Sequence, residues 1–355
     1  MKYDLKNPMI TSVTHTGFVV PDVMAIAKEY CDAYGIGPWK FYEMKETDFE
    51  SAEYYGKPVS IGLKIAMCDF SNISFELIQP VGNQGVFAQF LQKHGPGLHH
   101  LAVSTVNSLE EALKVVKSTG APIVQTLSTR TGERYVFTDH LESLGTCLEL
   151  AELPKGRKLP KPIGVYPDGP EVAKYGFSTK NPMITRIKQL AFVVNDRVKV
   201  AKEFYDFYGV GPWFFHQIDH KSDIKIVHNG KPVEIEIKSI SCNDTNPWYE
   251  YIQPLDTFSN YGTYLRDSGP GLHHICVETA NKYEEAINIM EREGKVATQT
   301  SILEGIEKGA HMNHLDTLGC YFELVFCDKD FVPPIQDMYP PGSKPAKPTC
   351  LKKVF

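Results

Sequence analysis

The stretch GPGLHHLAV, Gly95 to Val103, returns later in the chain as GPGLHHICV, Gly269 to Val277. Each writes two adjacent histidines after a Gly-Pro-Gly turn and before a short apolar run. Buried imidazoles are costly unless both rings find partners, so a repeated pair requires a reason in chemistry or in packing. Working outward from these pairs, the second half of the chain lies on the first at one constant offset of 174 residues, from His100 to His274 and again from Gly145 to Gly319. MITSVTHTGFVVPD from Met9 faces MITRIKQLAFVVND from Met183, and HLESLGTCLEL from His140 faces HLDTLGCYFEL from His314. A repeat of about 150 residues is longer than a solenoid unit, so each copy is a domain. The pattern predicts a first domain over 1–152, a linker rich in Pro, Gly and Lys over 153–182, a second domain over 183–328 and a tail over 329–355.

Composition narrows the function classes. The 355 residues are 42% hydrophobic and 23% charged, as in a soluble globular protein. No apolar run approaches the roughly 18 residues that span a bilayer, and MKYDLKNPMI has no signal-like apolar stretch, so a cytoplasmic location is expected. Eight scattered cysteines without a CxxC pair suit reduced thiols. A net charge of -6 supplies no basic field for nucleic acid, which leaves a small molecule as the expected partner.

Within each copy the periodicity reads as strand, helix and strands, twice over. VTHTGFVV is a strand and VMAIAKEYCDAYG an amphipathic helix closed by Gly35; SLEEALKVVKSTG is a second helix with Ser108 and Glu111 at capping-box spacing. The predicted class is therefore α+β, four βαβββ modules arising by internal duplication. Strand parity then sorts the faces. His100 is expected to share a face with Leu98 and Ala102, and His99 with Leu101 and Val103. Glu76 opposes Phe75 and Leu77, and Glu149 opposes Leu148 and Leu150. A carboxylate in mid-strand is expensive unless water, a cation or hydrogen bonds compensate it. With His15 on the first strand, the set His15, Glu76, His100 and Glu149 is a nitrogen and oxygen shell that suits one divalent Zn, Ni, Co, Mn or Fe ion. The matched set in the second copy is Gln189, Glu250, His274 and Glu323. His99, His273, His140 and His314 read as structural, and Trp39 and Trp213 as core.

These motifs, the first-strand histidine, FEL, GLHHLAV and GTCLELAE, resemble the vicinal oxygen chelate superfamily of glyoxalases, bleomycin-resistance proteins and extradiol dioxygenases. The run NISFELIQP to FLQKHGPGLHHLAV is most similar to methylmalonyl-CoA epimerases, and the duplicated length to tandem cyclitol (valiolone) epimerases. The resemblance implies paired modules forming two cup-shaped domains, one metal per occupied cup, and the second histidine of GLHH as its ligand. It also implies a carboxylate base beyond the metal shell: Glu234 stands sixteen residues before Glu250, at a position that is Ser60 in the first copy. The expected chemistry is epimerisation next to a carbonyl, with Glu149 in one copy and Glu323 with Glu234 in the other moving the proton. Alternatives are a glyoxalase-type lyase, an Fe(II) extradiol dioxygenase and a non-enzymatic binding cup. Open sheets of this type commonly pair, which allows a homodimer. VEIEIK around Glu234 equally reads as an exposed strand.

Overall fold

The computed structural model describes residues 2–157, 160–169, 174–304, 307–327 and 334–345. The first copy runs β1 (Ile10–Val19), α1 (Val23–Tyr34), β2 (Trp39–Met44), β3 (Phe49–Tyr54), β4 (Lys57–Pro58), β5 (Gly62–Phe70) and β6 (Ile73–Val81). After α2 (Gly85–His94) it restarts with β7 (Gly97–Thr105), α3 (Leu109–Thr119), β8 (Ile123–Thr129), β9 (Arg134–His140), one helical turn α4 (Leu141–Leu144) and β10 (Thr146–Glu152), and closes on β11 (Gly164–Tyr166). The second copy opens with β12 (Ile184–Val193), α5 (Arg197–Tyr208), β13 (Trp213–Ile218), β14 (Ile224–His228), β15 (Lys231–Val233), β16 (Ile237–Cys242) and β17 (Trp248–Pro254). It continues through α6 (Asn260–Ser268), β18 (Gly271–Thr279), α7 (Tyr283–Arg292), β19 (Ala297–Leu303), β20 (Glu307–His314), β21 (Cys320–Cys327) and β22 (Asp337–Tyr339).

The repeated sequence produces repeated local devices. Asp22 accepts hydrogen bonds from the Met24 and Ala25 amides to start α1, and Gly35 stops it at φ 74°. Asp196 and Gly209, at φ 70°, do the same for α5. Each copy curls into one eleven-stranded sheet, the first in the order β11, β2, β5, β6, β1, β7, β10, β9, β8, β3, β4. Its two modules join along the antiparallel pair β1 and β7. Each cup is therefore complete within one copy.

Apolar residues divide between the two faces. Tyr30, Tyr34, Leu101, Leu148, Phe192, Tyr208 and Phe322 belong to one buried core shared by both copies. On the other face of the first sheet, Val86 and Phe87 of α2 pack against Ile61, Leu63, Leu127 and Phe137. Tyr261 of α6 packs with Ile226, Ile235 and Ile252 in the second cup. Trp39 and Trp213 are buried in the shared core, their indole N–H groups donating to the Ile36 and Val210 carbonyls at 2.7 and 3.0 Å.

The predicted linker and tail are more than connections. β11 pairs with β2 and β22 with β13, each adding an edge strand to its own sheet. Tyr166 donates to Asp32 at 2.7 Å, and Tyr339 donates to Asp206 at 2.8 Å. Parts of both predicted segments, 158–159, 170–173, 329–333 and 346–355, lie outside the described residues. No helix among the described residues is long and apolar enough to cross a membrane.

Candidate metal centre

β1, β6, β7 and β10 lie side by side in the middle of the first sheet, and each delivers one side chain to the same point. Thr16 to Val19 run parallel to Phe75 to Ile78, while Cys147 to Leu150 run parallel to His100 to Val103. His100 Nε2 lies 3.0 Å from Glu149 Oε2, 3.6 Å from Glu76 Oε2 and 3.4 Å from His15 Nε2. His15 Nε2 lies 3.4 Å from Glu76 Oε2 and 3.7 Å from Glu149 Oε2. One ligand atom from each of the four falls within 4.8 Å of every other. Donors bound at about 2.1 Å to one cation stand roughly 3.0 to 3.6 Å apart, so this set fits a first-row divalent ion.

Electrostatics point the same way. Burial alone would lower the His15 pKa, yet hydrogen bonds to Glu149 and Glu76 override it and push the imidazole up to about 10. Burial likewise opposes the charge on Glu76, but His100 and His15 pull its carboxyl down to about 2. Glu149 is held below the usual carboxylate range by the same two rings, against its own burial. Two carboxylates with neither proton nor cation between them would not be stable in such a place.

The two histidines of GLHH share this side of the sheet. Gly17 pairs with His100 but Phe18 pairs with Leu98, so a β-bulge takes His99 out of the alternation. Leu98 and Leu101 both enter the shared core, and His99 turns toward Phe87, Phe90 and Phe137. The expected grouping of His99 with Leu101, and of His100 with Leu98, is therefore corrected. His99 Nδ1 lies 3.2 Å from His100 Nδ1; burial, then the nearby His100, keeps its pKa well below the ordinary value, so it is neutral. It is placed to orient the ring behind the ligand nitrogen. Gly17 makes this possible, because a β-carbon there would overlap the His100 ring.

The second cup is arranged differently. The Gln189 amide donates to Glu250 Oε2 at 2.5 Å, and burial pushes the Glu250 carboxyl up to about 7. His274 Nε2 lies 3.4 Å from Glu323 Oε2, with its Nδ1 2.9 Å from His273 Nδ1. The four matched residues do not close into one cluster. Instead His311, on β20, places its Nε2 3.3 Å from Glu323 Oε1. His311 was not singled out from sequence, although a histidine where the matched residue is Phe137 was a visible signal. Glu234 is exposed beyond β15, while Ile235 and Ile237 point into the cup core, so Glu234 does not join the site. His140 and His314 sit between the copies, His140 Nδ1 2.8 Å from Glu203 and His314 Nδ1 2.8 Å from the Tyr30 hydroxyl. Among the described residues, Cys31, Cys68, Cys147, Cys242, Cys276 and Cys320 are buried and form no disulfide.

Comparisons with known proteins follow the repeat. Residues 14–137 and 188–313 each match the family model described as Glyoxalase/Bleomycin resistance protein/Dioxygenase superfamily. An uncharacterized protein, YqjC, of Bacillus subtilis (strain 168) is 29% identical over 96 residues, covering 26% of this chain and 67% of that protein. A mutant 4-hydroxymandelate synthase from Streptomyces coelicolor superposes with a TM-score of 0.55 at 11% identity, over 90% of this chain and 93% of that one, a likeness of fold. A methylmalonyl-CoA epimerase from Mycobacterium tuberculosis is 24% identical, with a TM-score of 0.32 over 42% of this chain and 92% of that one.

Proposed function

The chain belongs to the glyoxalase/bleomycin resistance protein/dioxygenase superfamily, and from that premise we propose that it is a divalent-metal-dependent isomerase, an epimerase acting on the carbon beside a carbonyl. The observation that carries this reading is the convergence of His15, Glu76, His100 and Glu149, all four needed in deprotonated form, in one partly enclosed place. A cation held there supplies Lewis-acid polarisation of a substrate carbonyl and so acidifies the adjacent C–H. Glu149, ionised across the neutral range, takes the proton from one face; a proton exchanged with solvent returns to the other face, and the Glu149 carboxyl releases its own to water. Phe87 and Phe137, packed on the His100 ring, keep water from the reacting carbon. A positioned proton-transfer group contributes about 10² to 10⁴ in rate, which sets the loss expected on removing it. The substrate is a small cytoplasmic carbonyl compound, either a 2-methyl-branched acyl thioester or a polyhydroxylated cyclic ketone.

The test is to incubate the metal-loaded protein in D₂O with both substrate classes. Deuterium entering at the carbon next to the carbonyl, with inversion there, is the expected result. Conversion with no deuterium at that carbon would eliminate proton abstraction, and oxygen consumption during turnover would assign the chain to oxidative cleavage instead.

A further inference from the structure

The second cup departs from the first at the positions that matter most for a cation, and we propose that it is a separate metal centre held by His274, His311 and Glu323, two imidazoles and one carboxylate suited to Fe(II) or a similar divalent ion. Ala191 stands where the first copy has Gly17. It pairs with His274 as Gly17 pairs with His100, but it brings the β-carbon that Gly17 lacks. In the first cup that atom would overlap the ring. Consistent with this, His274 does not reproduce the contacts of His100: among the described residues no histidine nitrogen forms an ion pair with Glu250, whereas His100 reaches Glu76 at 3.6 Å.

His274 faces His311 instead. Their ring centroids are 4.9 Å apart at an interplanar angle of 33°, and one nitrogen each of His273, His274 and His311 lie within 4.8 Å of one another. The two Nε2 atoms approach the two oxygens of Glu323 at 3.4 and 3.3 Å. Gln189 and Glu250 are occupied with each other. His273 stands behind His274 as His99 stands behind His100, orienting the ligand ring. His311 Nδ1 and His273 Nε2 are buried without a hydrogen-bond partner among the described residues, as His99 Nε2 is in the first cup. Three protein donors leave one face of the ion open, as two-histidine, one-carboxylate iron sites do. Tyr261, whose hydroxyl is 3.5 Å from His311 Nε2, borders that face. The matched residue in the first cup is Phe87, so the second cup can hydrogen-bond a ligand where the first cannot.

The full-length protein, stripped with a chelator and reloaded with Co(II) alone, provides the test through cobalt content per chain and visible absorption. Wild type should retain about two equivalents, and His311→Phe, which installs the residue of the first copy, about one. Retention of the wild-type amount by His311→Phe would overturn the proposal. His15→Gln separates the two cups. A single equivalent that His15→Gln removes and His311→Phe does not sinks the second centre alone; the opposite pattern upholds it and sinks the first-cup reading. His311→Gln, with circular dichroism on every variant, separates loss of a ligand from loss of the fold.

Discussion

At Gly17 the absence of a side chain is what lets the His100 ring lie flat over β1. Gly17→Ala should therefore cost about 1 to 3 kcal/mol through overpacking and, more tellingly, strip the first cup of its metal. Urea unfolding read beside metal content separates the two effects, and a variant that holds its full complement would refute the account. A second prediction follows from the charges. In metal-free protein, His15 is raised from 6.5 to about 10, so its stabilising contribution is complete below pH 6.5 and is lost as pH rises through 10. Glu76 is lowered from 4.5 to about 2, so its contribution is complete above pH 4.5 and is lost as pH falls through 2. The stability gap between chelated wild type and chelated His15→Gln should be widest between pH 4.5 and 6.5 and narrow on both sides. A gap that stays constant from pH 6.5 to 10 contradicts the ion cluster. The four converging residues of the first cup were legible because each ionisable group stands in mid-strand against apolar neighbours. The face of His99 was not legible, since alternation carries no mark of a bulge, and His311 left only the signal of a histidine in the place of Phe137.

Edge strands show the same logic one level up. β22 covers β13 through the pairs Trp213 with Tyr339 and Phe215 with Asp337, and β11 covers β2 in the matched way. Unpaired edges invite pairing with other chains, so these short strands both finish and protect the sheets. Tyr339→Phe, which removes the hydrogen bond to Asp206, should cost about 1 kcal/mol. Truncation before residue 334 should do more, speeding amide exchange along β13 and promoting association. Exchange along β13 unchanged after truncation would show that the strand is not held by its neighbour. Composition made these segments read as linker and tail, because they are rich in Pro and Lys with interspersed Gly. Their equivalence was obscured by a slip of register: Tyr166 and Tyr339 are 173 residues apart, one short of the repeat. The helices α1 and α3 were far easier to see, being amphipathic and capped. α2 and α6, whose apolar positions belong to the cup, were not read as helices from the sequence.

For the whole molecule, the duplication has become a pseudo-two-fold assembly within one chain. Asn72 and Asn246, one repeat apart, meet at 2.8 Å, and Asn72 also donates to the Ile187 carbonyl at 2.8 Å. Each copy caps the other: the Met9 amide donates to the Tyr208 carbonyl at 2.8 Å and the Met183 amide to the Tyr34 carbonyl at 2.9 Å. Ordinary inter-domain contacts within a chain are modest and polar, which lets domains unfold separately. Here the helical faces of both copies enter one apolar core, so neither copy can open without exposing the other's buried aromatics. Metal-free protein should consequently unfold in a single calorimetric transition, with calorimetric and van't Hoff enthalpies in agreement, despite its length. Metal added back should raise that one transition by linkage, even when His311→Phe or His15→Gln confines binding to one cup, because stabilising either cup holds the common core. Two resolved transitions, of which only one moves with metal in a single-cup variant, would mean that the copies are thermodynamically separate and that the shared core is a contact surface only.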